Sequence, residues 1–214
     1  MVKAKIGEVA NSGGQKPTSK ESLISAMISA LEHGGEPSVR LEVILAEADV
    51  SPSSLYHHFG SLDGLIDVAQ AQRFALNSAR NVDDFESKLK FVRTLEEFRA
   101  LTDAMFAQSF APDRLTGRMA RINALGRAYG NPALQSELTR IYRSILDRIT
   151  AAITLAKTLG WLDERVNPPA IGGWIDSMGL GRVLVDVADD PIFHEEWMAL
   201  VKKTFDYMLY ETQS

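Results

Sequence analysis

Two short amphipathic segments joined by only three residues, Asp49-Val50-Ser51, constrain this chain more than any other feature. The first runs from about Ser38 to Ala48 and offers Val39, Val43, Ile44 and Leu45 for burial. The second has Ser51 as its cap and Pro52 in the first helical position, and it closes at Phe59-Gly60. Helices this short cannot bury both apolar sides on each other, so a third must stand behind them. The preceding segment supplies it. Thr18 and Glu21 stand at capping-box spacing, Leu23, Ile24, Met27, Ile28 and Leu31 form a stripe, and Gly34-Gly35 ends it.

The rest of the chain also reads as helix. Alternating β-branched runs bounded by turns are nearly absent, and apolar residues recur at helical spacing. Ser61 caps a fourth helix with Leu65, Ile66, Ala69 and Phe74 on its apolar side. A separate helix is expected to begin near Asp83-Asp84 and to carry Phe85, Leu89, Val92, Phe98, Leu101 and Met105 as far as Ala111-Pro112. Further helices are expected from about Asp113 to Ala128, from Pro132 to Gly160, from Pro168-Pro169 to about Val187, and after Asp189-Asp190-Pro191. The expected fold class is all-α, a three-helix helix-turn-helix domain followed by a larger helical domain. The domains are expected at 1–17 (a loose arm), 18–80 and 81–214.

In a helix-turn-helix, the second short helix is the element that enters the major groove. Ser51, Ser53 and Ser54 are small donors at a helix N-terminus, where free N–H groups favour phosphate. Tyr56, His57 and His58 add polar tips, with Ser53, Ser54 and His57 on the outward side; Leu55 and Phe59, four apart, point inward.

The run Val50-Ser51-Pro52-Ser53-Ser54-Leu55-Tyr56-His57-His58-Phe59-Gly60-Ser61, with Ile44 and Ala48 before it, resembles the recognition-helix signature of the TetR family of bacterial repressors. It lies within the first third of the chain. The resemblance implies a homodimeric one-component regulator, a repressor that binds a palindromic operator in double-stranded DNA through its N-terminal domain. It also implies a small-molecule pocket and a dimer interface in the C-terminal domain. By the same resemblance, Tyr56 touches phosphate, His57 reaches phosphate or a base edge, and Leu55 and Phe59 are core positions. The DNA-binding candidates are Arg40, Ser51, Ser53, Ser54, Tyr56 and His57. The chain departs from the family pattern where Asp49 replaces the usual turn glycine, Leu45 a small alanine, Arg40 a Ser or Thr, and Leu62 a lysine. These departures bear on affinity more than on fold, and Lys3, Lys5, Lys16 and Lys20 could compensate from the arm.

Composition narrows the alternatives. There is no cysteine, so disulfides and thiolate metal sites are excluded. No cofactor and no metal site are expected, since the histidines are not clustered with other ligands. No nucleophile–base pair or Gly-rich phosphate loop appears, so an enzyme is not expected. No bilayer-spanning run or secretory leader is expected, and a cytoplasmic location follows as the reading. The formal net charge of −5 argues against a general nucleic-acid coat protein. It also supports the alternative of a helical interaction module with a vestigial helix-turn-helix.

In the second domain, Phe98, Met105, Phe106, Tyr142, Trp174 and Met178 are the candidates for lining a pocket for an unknown, mostly hydrophobic effector. Arg114, Arg118 and Arg121 share one helix face, expected to be solvated with acidic partners nearby, or else to meet an anionic effector or a partner subunit. Gly172, Gly173, Gly179 and Gly181 lie inside one helix, where each costs about 1 kcal/mol against alanine. Close helix approach at a homodimer interface built from the last two helices would explain them.

Overall fold

A computed structural model describes residues 17–210, all helix and connecting turn, without a strand among the described residues. The expected arm at 1–17, with Lys3, Lys5 and Lys16, lies outside them except for its last residue. The helices are α1 (Ser19–Gly34), α2 (Leu41–Ala48), α3 (Pro52–Phe59), α4 (Leu62–Leu89), α5 (Leu95–Ser109), α6 (Leu115–Ala128), α7 (Pro132–Thr158), α8 (Pro168–Ala188) and α9 (Pro191–Tyr210). The chain divides into two compact units after Ile66, inside α4.

In the first unit, α1 begins as its caps dictate. The Thr18 hydroxyl accepts from the Glu21 amide, and the Glu21 carboxylate accepts from the Thr18 amide at 2.8 Å. Helix α1 packs on α2 and α3. Leu23, Ala26, Met27, Leu31, Ile44, Ala48, Leu55 and Leu65 form the buried set. The second helix starts later than its apolar pattern suggests. A 3-10 turn at Glu36–Ser38 precedes it, and Arg40 is the N-cap. Val43 faces out, 57% exposed, because it points about 100° around the helix from the buried Ile44 rather than joining it in the core. At Asp49 the backbone is left-handed (φ 54°, ψ 49°), the conformation glycine adopts most easily and Asp tolerates better than most residues.

In the second unit the main correction concerns α4. No helix begins at Asp83-Asp84; α4 runs unbroken to Leu89, and the next helix starts at Leu95. Acidic residues are compatible with a helix interior, so they mark a start only together with a cap. The operative cap is Thr94, whose hydroxyl accepts from the Glu97 amide while Glu97 returns a bond to the Thr94 amide. Phe85, Phe98, Ala156, Ile171, Phe205 and Leu209 centre one core cluster joining α4, α5, α7, α8 and α9. Phe74, Ala124, Leu134 and Leu138 centre a second, between α4, α6 and α7. Phe106, Phe110 and Val201 centre a third.

A buried polar seam crosses this unit. Arg118 and Arg121 are 5% and 8% exposed, not a solvated face. Both have acidic partners on α8. Arg118 donates from Nη2 and Nε to one oxygen of Asp186 (2.7 and 3.0 Å), and Arg121 donates from Nη2 to Asp176 at 2.6 Å. Arg182, 1% exposed, donates from Nε to the other Asp186 oxygen at 2.9 Å and also bonds His194. The reason for the difference is the sequence of α8: its apolar pattern hides two acids, Asp176 and Asp186, that dock on α6.

Candidate nucleic-acid interface and ligand cavity

Helix α3 is fixed at both ends and along its inner side. The Ser51 hydroxyl accepts from the Ser54 amide, Pro52 occupies the first turn, and the Gly60 amide closes on the Tyr56 carbonyl at 3.0 Å. Leu55 is fully buried and Phe59 half-buried, so the inner side is anchored. The outer side then presents Ser53, Tyr56, His57 and His58 to solvent. Tyr56 is 53% exposed, unusual for an aromatic ring next to a packed core. His58 stacks edge-on against the neighbouring rings of His57 and Phe59. Ser51 spends its hydroxyl on the cap, whereas Ser53 is exposed and Ser54 half-buried. Arg40 is exposed but folded back, donating from Nη1 to the carbonyls of Pro37 (2.9 Å) and Val39 (2.8 Å). The six expected DNA-binding residues therefore sit on the α2 start and on α3, with Tyr56, His57 and Ser53 the most presented.

One positional residue was not singled out from the sequence. Gly64, in the first turn of α4, lies so close to the end of α3 that an added Cβ would stand 2.2 Å from the Phe59 carbonyl oxygen. Its amide is held by the Ser61 hydroxyl at 2.9 Å. The α3–α4 turn thus depends on glycine for close approach rather than for a special φ. The readable signal was a glycine three residues after a Ser cap, where helix propensity disfavours it.

Charge is the peculiarity of this unit. Residues 17–66 hold two basic side chains, Lys20 and Arg40, against seven acidic ones. A phosphate-facing surface built here would have to draw on helix N-termini, hydroxyls and the histidines more than on lysine.

The second unit contains a cavity of about 590 Å³ between α4, α6, α7 and α8. Phe74, Leu125, Ala128, Leu138 and Leu180 make its apolar wall; Arg121, Asp176, Thr139 and Tyr142 bring polar groups to it. Burial, with Asp176 nearby, pushes the Tyr142 hydroxyl pKa upward against the smaller opposing effect of Arg121, so the phenol stays protonated. Of the six expected effector residues, Tyr142 lines this cavity. Phe98, Met105, Phe106, Trp174 and Met178 instead belong to or pack against the core clusters.

Helices α8 and α9 leave several large apolar side chains in solvent: Leu184 (77%), Val187 (74%), Ile192 (69%) and Leu200 (63%). Among the α8 glycines, only Gly172 meets close neighbours, with an added Cβ 3.1 Å from Ile149 and 3.2 Å from Leu146. Gly173, Gly179 and Gly181 face open space. Among the described residues no helix is long and apolar enough to cross a membrane, and no three acidic or histidine side chains are grouped to hold a metal ion.

No protein-family model and no curated protein sequence matches the chain. Solved structures do match it over nearly its whole length. A Rhodococcus sp. RHA1 protein described as a transcriptional regulator superposes with a TM-score of 0.70 at 16% identity, covering 88% of this chain and 96% of that one. A TetR transcription regulator from Haloarcula marismortui superposes with a TM-score of 0.63 at 15% identity, covering 89% and 98%. The multidrug binding protein EbrR, solved with imidazole, superposes with a TM-score of 0.58 at 20% identity, covering 93% and 99%. The signature on α3, the helix order and these superpositions agree: the chain has the fold of the TetR-family transcriptional regulators.

Proposed function

We propose that this protein is a homodimeric, ligand-responsive transcriptional regulator, a repressor that binds a palindromic operator and is released by a small, mostly hydrophobic effector. The observation that carries the reading is α3: a capped two-turn helix, buried through Leu55, that holds Ser53, Tyr56 and His57 in solvent as one surface. Such a helix buries almost nothing through its outer side, so that side is available to a groove. The exposed apolar side chains of α8 and α9 support a dimer interface between these helices and their copies. In a dimer, two recognition helices about 34–36 Å apart reach successive major grooves. An effector in the cavity that prefers another spacing would shift the population away from the DNA-bound form. Helix α4, continuous from Leu62 to Leu89, is the direct covalent route for that shift.

The test is fluorescence anisotropy of purified protein with duplex DNA flanking its own gene, against random competitor. Competitor-resistant binding, lost in Tyr56→Ala while the dimer persists, supports the reading. Equal affinity for random duplex would favour a helical interaction module with a vestigial helix-turn-helix, a second reading to which the acidic first unit and Leu62 lend weight. A salt titration separates the two, since an operator binder weakens steeply with salt yet keeps its sequence preference.

A further inference from the structure

We infer that the cavity of the second unit takes an uncharged amphiphile with a carbonyl acceptor, its apolar body against Phe74, Leu125, Leu138 and Leu180 and its carbonyl oxygen received by Arg121 and Tyr142. The inference rests on the reading of this cavity as the effector site. Three observations lead to it. First, the wall is mainly apolar, and about 590 Å³ suits a small organic molecule. Second, the guanidinium of Arg121 has donor capacity that its surroundings do not meet. Nη2 is committed to Asp176, while Nε is shielded from solvent and has no hydrogen-bond partner. Only an acceptor can satisfy it, and Arg121 is one of the residues lining the cavity. Tyr142, protonated on the same wall, is a second donor.

Third, the charge is already balanced. Arg121 and Asp176 form a one-to-one pair with little exposure, 10% and 13% for the side chains. A ligand carboxylate would stand beside Asp176, and a ligand ammonium beside Arg121, each desolvated and each facing a like charge. A neutral carbonyl takes both donors without disturbing the pair. The Arg121 guanidinium also lies 5.7 Å from the centre of the Phe74 ring, so its polar edge and the apolar wall adjoin. A ligand would therefore carry its acceptor close to its apolar body.

The test is calorimetric titration of the full-length protein, without DNA, with four probes of one skeleton: benzylacetone (ketone), n-butylbenzene (hydrocarbon), hydrocinnamate (carboxylate) and phenylpropylamine (ammonium). Benzylacetone should bind about tenfold or more tighter than each of the others. Tyr142→Phe and Arg121→Lys should each bring the ketone toward the level of the hydrocarbon. Lys keeps a cation beside Asp176, and so preserves the fold, while removing the planar donor edge. Equal binding of ketone and hydrocarbon, tighter binding of either charged probe, an undiminished ketone preference in both variants, or binding of none of the four would overturn the inference. Operator binding measured separately keeps the two readings apart. A protein that holds operator but ignores the ketone loses only this inference, and one that takes the ketone but ignores DNA loses only the regulator.

Discussion

Replacing Asp186 by Asn should be among the most damaging single changes in the second unit. Asp186 accepts from Arg118 with one oxygen and from Arg182 with the other, and the two arginines are 5% and 1% exposed. Asn keeps the shape but removes the charge and turns an amide NH₂ toward one guanidinium. Breaking a buried ion pair from one side costs about 3–5 kcal/mol, because the remaining charge stays desolvated. Here two charges are stranded, which places the loss at the upper end of that range. Arg182 has little reserve, since its Nη1 is already buried without a partner. The assay is urea unfolding followed by tryptophan fluorescence at fixed protein concentration, because dimerisation would otherwise shift the midpoint. All three tryptophans belong to the second unit, and Trp197 lies 5.5 Å from the Arg182 guanidinium. With m of about 2–3 kcal/mol/M, the midpoint should fall by about 2 M urea. The triple change Arg118→Met, Asp186→Leu, Arg182→Met should lie much nearer wild type, since it removes every charge of the cluster together. A loss below about 1 kcal/mol in Asp186→Asn would refute the reasoning, because it would mean that water reaches both arginines.

Three further outcomes are expected. Gly64→Ala should displace α3 from α4, since the new methyl meets backbone rather than a yielding side-chain tip; unfolding should show a loss of about 1–3 kcal/mol, and operator affinity should fall with it. Leu184→Asp should leave the protomer's stability within about 0.5 kcal/mol, because the side chain is 77% exposed, yet convert a dimer to monomer in analytical ultracentrifugation. Asp163, held by Arg165 through side-chain and backbone hydrogen bonds, has its carboxyl pKa lowered from an ordinary 3.8 to about 2. Its contribution is therefore fully present above pH 3.8 and is lost as pH falls through about 2. The melting difference between wild type and Asp163→Asn should accordingly be constant near neutrality and vanish only in that acid window.

How much of this was legible beforehand differs by element. The cap of α1, the Ser51-Pro52 start of α3, the Asn131 and Asn167 starts of α7 and α8 and the stops at Gly60 and Gly160 are local events, set by residues within one turn of each other. Short-range chemistry of this kind is written directly in residue order, and so was the outward placing of Ser53 and His57 on α3, although Ser54 is half-buried. The continuity of α4 through Asp83-Asp84 was less legible, because acids can either start a helix or ride on its surface. Here Asp83 and Glu86 pair with Arg148 on α7, a partner more than sixty positions away.

By itself, then, the order of residues determined that the chain is helical, where most helices begin and end, and which side of α3 faces out. Tertiary structure decided the rest. It made Arg118 and Arg121 buried partners of Asp186 and Asp176, placed five of the six candidate effector residues in or against core clusters, and left Tyr142 on the cavity wall. The physical reason is range: a cap closes over three or four residues, whereas burial and charge pairing depend on which distant helix arrives opposite. Periodicity reports that a face is apolar or charged, but it carries no record of the partner.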